Sequence, residues 1–186
     1  MSLTPSTMTD LGSPAPGFIL HDVVSGNSVS LTNVKSHTAT VIMFICNHCP
    51  YVKHINSELV RLANDYIPKG IAFVAINSND FEKYPDDSPE NMLKIATDLK
   101  YPFPYLVDEE QNVAKAYEAA CTPDFFIYDE HLKLIYRGQL DDARPANQSP
   151  SDGKDIRAAL DAVLSGQHPS PRQRPSIGCN IKWKQT

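Results

Sequence analysis

The sequence predicts a single α/β domain, a central mixed sheet flanked by helices, with a strand pair ahead of it and an extended tail behind. Three observations carry that prediction. Two apolar runs, 41–45 and 71–76, are joined by a stretch in which Val52, Ile55, Leu59, Leu62 and Tyr66 recur every three or four positions. That is the pattern of a helix crossing over between two buried parallel strands. Downstream, residues 125–128 and 132–136 flank a turn at Asp129-Glu130 and read as an antiparallel hairpin. At 186 residues the chain is the size of one domain with a full core.

Taken in order, residues 1–13 are expected to form a flexible N-terminus. Ser13-Pro14-Ala15-Pro16-Gly17 is a stiff lead-in, because its prolines block helix and favour extended chain. Segments 18–20 and 29–31 flank Ser25-Gly26-Asn27 as a short strand pair. The strand over 40–45 and the helix over 51–67 follow, and Lys69-Gly70 ends that helix. After the strand 71–76 comes a polar loop, Asn77-Ser78-Asn79-Asp80. Ser88-Pro89-Glu90 opens the next helix, with serine as N-cap and proline at the first helical position, and Met92, Ile95, Ala96 and Leu99 form its apolar face. A short strand at 105–107, a short helix over 111–118 and a break at Cys121-Thr122-Pro123 lead into the hairpin. Residues 141–153 read as a polar loop, and Ile156, Leu160, Val163 and Leu164 mark a last helix. The domain is therefore expected over 14–165, with a proline-rich tail over 166–186 packed on or near it.

Composition narrows the class of function. Hydrophobic residues make up 41% and charged residues 21%, an ordinary globular balance. The formal net charge of −5 speaks against a nucleic-acid surface. No apolar run approaches the ~18 residues of a membrane span, and the polar start of the chain lacks the pattern of a secretory signal. The expectation is a cytoplasmic protein. In a reducing compartment structural disulfides are rare, so four cysteines, two of them in one Cys-x-x-Cys, point to redox or metal chemistry.

That motif is Ile45-Cys46-Asn47-His48-Cys49-Pro50, at the handover from a buried strand to a helix whose start Pro50 pins. Unpaired N–H groups and the helix dipole favour a thiolate there, and the thiolate is the reactive form. Two buried apolar cysteines would be the plain alternative, but position and spacing favour a redox centre. Zinc would require further ligands, for which His48, Cys121 or Cys179 are candidates, and soft thiolates also suit Cu(I). No metal or organic cofactor is called for by the redox reading.

The order of elements, the Pro14-Ala15-Pro16 lead-in, and Cys46-x-x-Cys49 paired with Thr122-Pro123 just before a strand together resemble the thioredoxin-like redoxins. Within them the chain looks like the alkyl hydroperoxide reductase/thiol-specific antioxidant subgroup. The resemblance covers about residues 14–165 and implies a thioredoxin-like fold. It implies Cys46 as the exposed nucleophile, Cys49 as the buried resolving thiol, and Pro123 in the cis form beside them, leaving the Thr122 backbone free to pair with an extended thiol substrate. Thioredoxin has tryptophan where this chain has Ile45, and a buried aspartate where it has Thr40. His48, placed as in protein disulfide isomerase, is expected to stabilise the Cys46 thiolate. Peroxiredoxins carry Pro-x-x-x-Thr-x-x-Cys. Aligning Cys49 with their cysteine puts Ile42 and Cys46 at the other two positions, and aligning Cys46 puts Ala39 and Met43 there.

The expected activity is thus thiol–disulfide exchange with a protein or small-molecule partner, sustained by a thiol reductant, without nucleic acid or membrane. Peroxiredoxin-like thiol peroxidase is the alternative enzyme, and metal binding or copper delivery the alternative of another class. Cys121 is either a small buried residue or an additional resolving thiol. For Cys179 simple packing of the tail, with Trp183 on the body, is preferred over a return to the motif. His54 reads as solvated or capping, Asn77 to Asp80 as a turn, and Arg172, Arg174, Lys182 and Lys184 as a solvated tail.

Overall fold

The computed structural model describes residues 3–185. Its main sheet contains β2 (Ile19–Asp22), β3 (Ser28–Ser30), β4 (Ala39–Phe44), β5 (Ile71–Asn77), β6 (Tyr105–Val107), β8 (Asp124–Asp129) and β9 (Leu134–Gly138). They lie in the order β3-β2-β6-β5-β4-β8-β9. β4, β5 and β6 run parallel; β8, β9, β2 and β3 pair antiparallel. The mixed sheet and the crossover between β4 and β5 are as the sequence predicts, with Ala39 opposite Ile71 and Phe44 opposite Ile76.

Side-chain alternation explains why β4 is apolar throughout. Val41 and Met43 face one layer, with Val52, Ile55, Leu59 and Leu62 of α2 (Pro50–Tyr66) and Ile156 and Leu160 of α5 (Lys154–Leu164). Ile42 and Phe44 face the other, with Leu31 of α1 (Leu31–Val34) and Ala114 of α4 (Asn112–Ala116). A strand covered on both faces has no polar side to show. Each such buried aliphatic side chain contributes roughly 1.5–3 kcal/mol. α2 ends in a turn at Ile67–Lys69, and Gly70, at φ +88°, supplies the left-handed conformation that closes it. α3 (Pro89–Asp98) starts as expected, the Ser88 hydroxyl accepting from Asn91 N–H. Among the described residues no helix is long and apolar enough to cross a membrane.

A second, three-stranded sheet was not foreseen. It joins β1 (Leu3–Pro5), β10 (Ile177–Asn180) and β7 (Cys121–Thr122), in the order β1-β10-β7. From Leu3 on, the flexible N-terminus expected over 1–13 is instead built in: Leu3 opposes Cys179 and Pro5 opposes Ile177. Ser6 N–H donates to the Ser176 carbonyl (2.8 Å) and Gly12 N–H to that of Leu134 (2.7 Å). β10 would otherwise present a row of unpaired backbone groups, which this segment satisfies. Met1 and Ser2 lie outside the described residues. The tail is extended and packed on the domain, but a strand of it is paired on both sides.

Candidate active site

β4 delivers the chain into Ile45, and Cys46 to Cys49 form the turn before α2, whose N-cap is Cys49 with Pro50 just inside. The Thr122–Pro123 bond is cis, as the resemblance implies. Both polar groups of Thr122 lie at the motif. Its hydroxyl lies 3.3 Å from Cys46 Sγ, and its carbonyl oxygen lies 3.2 Å from Cys49 Sγ.

The third sulfur at the site is one that sequence reasoning assigned to packing. Cys179, on β10, sits opposite Thr122, and its Sγ lies 2.9 Å from Cys49 Sγ. The tail does return to the motif, while Trp183 stays 40% exposed. Cys179 lies far from the motif in sequence and has no partner cysteine at a telling spacing, so nothing local marked it. β10 also fills the Thr122 edge, which was expected to be free for an extended substrate.

The electrostatics depart from expectation too. Cys46 is not an exposed nucleophile: it is 2% exposed, and Cys49 is fully buried. A hydrogen bond given up by Cys46 leads in holding Cys49 down to about 5, against the opposing effect of burial, with Cys179 and the N–H groups of Val52 and Cys179 adding to it. Cys46 is pushed well up by that same hydrogen bond to Cys49, by burial and by the negative charge of Asp87. Burial and its bond to Cys49 raise Cys179 to about 12. Of the three thiols at the site, that of Cys49 is lowered and those of Cys46 and Cys179 are raised. Cys121 is buried, its thiol raised mainly by burial, and bonds weakly to the Pro123 carbonyl (3.5 Å).

Asp87 is the other residue the sequence did not single out. One oxygen accepts from Asn47 N–H (2.6 Å); the other takes His48 Nδ1 (2.6 Å) and Asn79 Nδ2 (2.8 Å). These bonds, His48 first, outweigh burial and hold its carboxyl below the ordinary range. A buried acid thus reaches the motif from the turn before α3. His48 also stacks on Tyr84, ring centres 5.6 Å apart. Tied to Asp87, it is joined to a charge that raises Cys46. Asn47 Oδ1 accepts from Tyr105 OH (3.0 Å).

The loop read as a plain turn is buried and structural to the site: Lys182 N–H donates to Asn79 Oδ1 (2.8 Å), and Asp80 N–H donates to the Lys182 carbonyl (2.9 Å). His54 is half-buried and bonded to the Ser149 carbonyl (3.0 Å). For a metal ion, Cys46, His48 and Asp87 offer sulfur, nitrogen and oxygen donors within 4.8 Å of one another.

The model of the AhpC/TSA family matches residues 11–137, which take in the motif and Thr122-Pro123 but stop short of β10. Thiol-disulfide oxidoreductase ResA of Halalkalibacterium halodurans is 25% identical over 125 residues, covering 67% of this chain. The chain spans 65% of the length of that curated relative. Among solved structures, an uncharacterized conserved protein from Geobacillus kaustophilus is 64% identical with a TM-score of 0.98, covering 100% of this chain and 98% of that one. A hypothetical protein from Sinorhizobium meliloti 1021 is 48% identical at TM-score 0.95, covering 98% and 100%. A putative thiol:disulfide interchange protein DsbE from Chlorobium tepidum shares the fold at 19% identity and TM-score 0.67, covering 84% and 99%. With the family match running from the first strand pair through the β8–β9 hairpin, the chain belongs to the AhpC/TSA family and has a thioredoxin-like fold.

Proposed function

We propose that the protein is a cytoplasmic thiol–disulfide oxidoreductase working through Cys46 and Cys49. The observation that carries this is the pairing of the two thiols at the start of α2 with Thr122, one Thr122 oxygen beside each sulfur. In the reductive direction Cys46 attacks a substrate disulfide as its proton passes to the Cys49 thiolate it already hydrogen-bonds. One substrate sulfur leaves and takes that proton. Cys49 then attacks Cys46 Sγ, closing Cys46–Cys49 and releasing the second substrate sulfur as a thiolate. A small thiol or a partner protein reopens the bond. His48, held by Asp87, has a ring nitrogen within 4.8 Å of Cys46 Sγ.

Equilibration in glutathione buffers, read by alkylation and mass spectrometry, tests this. A Cys46–Cys49 couple near or below about −250 mV suits a cytosolic reductant, one near about −150 mV an oxidase or isomerase. Failure to form an intramolecular disulfide at any poise sinks the reading.

Family membership favours thiol peroxidase as the second reading, in which peroxide oxidises a cysteine to sulfenic acid and a neighbouring thiol closes the disulfide. Peroxide consumption with sulfenic acid trapping separates it from exchange. The Cys46, His48 and Asp87 donors support metal binding or copper delivery as a reading of another class, which stoichiometric metal in protein purified under reducing conditions would favour.

A further inference from the structure

β10 lies where an extended substrate chain would pair beside Thr122, and it brings a cysteine with it. The approach is close: a Cβ on Gly178 would stand 2.0 Å from the Thr122 carbonyl oxygen, so a glycine is what lets the strand lie there. The strand is fastened on both sides of Cys179. Ser176 Oγ donates to the Pro123 carbonyl (2.7 Å), and Lys182 N–H to Asn79 Oδ1 (2.8 Å). Cys49 consequently has two thiol neighbours, Cys46 within its own turn and Cys179 at 2.9 Å. Closing that second gap to the ~2.05 Å of a disulfide is a sub-ångström movement.

Resting on the dithiol reading above, we propose that Cys179 is a third catalytic thiol, which takes the disulfide over from Cys46 and holds the oxidised state as Cys49–Cys179. The step is an internal exchange. Cys179 Sγ attacks Cys49 Sγ, the Cys46–Cys49 bond breaks, and Cys46 leaves, taking up the proton that Cys179 gives up. No electrons enter or leave the protein in this step. The two were already removed by the substrate disulfide, and the external thiol reductant returns them by opening Cys49–Cys179. Cys46 is free again as a thiol while the oxidised bond waits on the tail strand.

The test is disulfide mapping of the full chain, oxidised with oxidised glutathione and digested without reduction. Wild-type protein is expected to yield the peptide carrying Cys46 and Cys49 linked to the peptide carrying Cys179, with fragmentation placing the bond at Cys49. Cys46→Ser is expected to form Cys49–Cys179 as its sole intramolecular bond. If the Cys46–Cys49 bridge forms but Cys179 stays fully open to alkylation at every poise, or bridges to Cys121, the proposal is overturned while the dithiol reading stands. If no intramolecular bridge forms at all, both fall. The wild-type map decides even if the variant does not fold.

Discussion

His48 Nδ1 and Asp87 Oδ2 stand 2.6 Å apart, the imidazole at the start of α2 and the carboxylate in the turn before α3. The contact joins two segments 39 positions apart, and the same carboxylate takes the Asn47 N–H and the Asn79 amide. Motif, acid and loop thus hang on one buried group.

Replacing that group should be costly. Asp87→Asn keeps the shape but removes the charge, and is expected to cost about 3 kcal/mol, since buried bonds to an ionised group are lost together. Because the folded carboxyl is held below its usual value, its contribution is present above the unfolded pKa and lost as pH falls through the folded one. Thermal melts of the wild type should therefore lose stability below about pH 4, and the variant should lack that component. A variant with the wild-type acid profile would contradict this role.

Cys49 should ionise first. Thiolate absorbance near 240 nm is expected to rise by one thiol around pH 5, with Cys46 and Cys179 silent at neutrality. Cys49→Ser should abolish the transition, and Cys46→Ala, which removes the leading donor, should move it upward. The folded Cys49 value lies below its unfolded one, so its contribution to stability is lost as pH falls from about 9 toward 5. Absence of any thiolate at pH 7 would be incompatible with a shared-proton cluster.

Gly178→Ala should unseat β10. The added methyl meets backbone of Thr122, which cannot swing away, and overpacking of this kind costs about 1–3 kcal/mol. Hydrogen exchange should speed up in 177–181 and in the paired β1, and Cys49 should become easier to alkylate. Unchanged exchange in that strand would mean that the close approach is not needed.

Arg137 has a fully buried side chain, 3.4 Å from Asp124, donating to the Glu118 carbonyl (2.7 Å) and also to Thr9. Its guanidinium carbon lies 4.4 Å from the centre of the Phe126 ring. Arg137→Ala strands the Asp124 charge in the core and is expected to cost about 3–5 kcal/mol in chemical denaturation. It should also loosen the N-terminal segment, visible as faster proteolysis ahead of β2.

Much of this molecule could be read from the chain. The apolar run over β4, the helical spacing from Val52 to Tyr66 and the Ser88-Pro89 cap each encode their own local structure, because burial on two faces, an amphipathic stripe and a satisfied helix start are properties of neighbouring residues. Cys46 and Cys49 at a helix start, and the proline break after Thr122, are local in the same sense, so the centre of the site was legible with the main sheet. The partners of that centre were not. Cys179 and the strand from Leu3 to Pro5 belong to segments without periodicity, and their neighbours are set by long-range backbone pairing. Asp87 looks like an ordinary acid in a polar turn until the chain folds it against the motif. Which sulfur holds the proton depends on hydrogen-bond contacts among three thiols and on a buried charge. The sequence by itself determined the main sheet, the helices and the place of Cys46 and Cys49; tertiary structure alone decided what surrounds them, since hydrogen bonding and burial act through space between residues the chain keeps far apart.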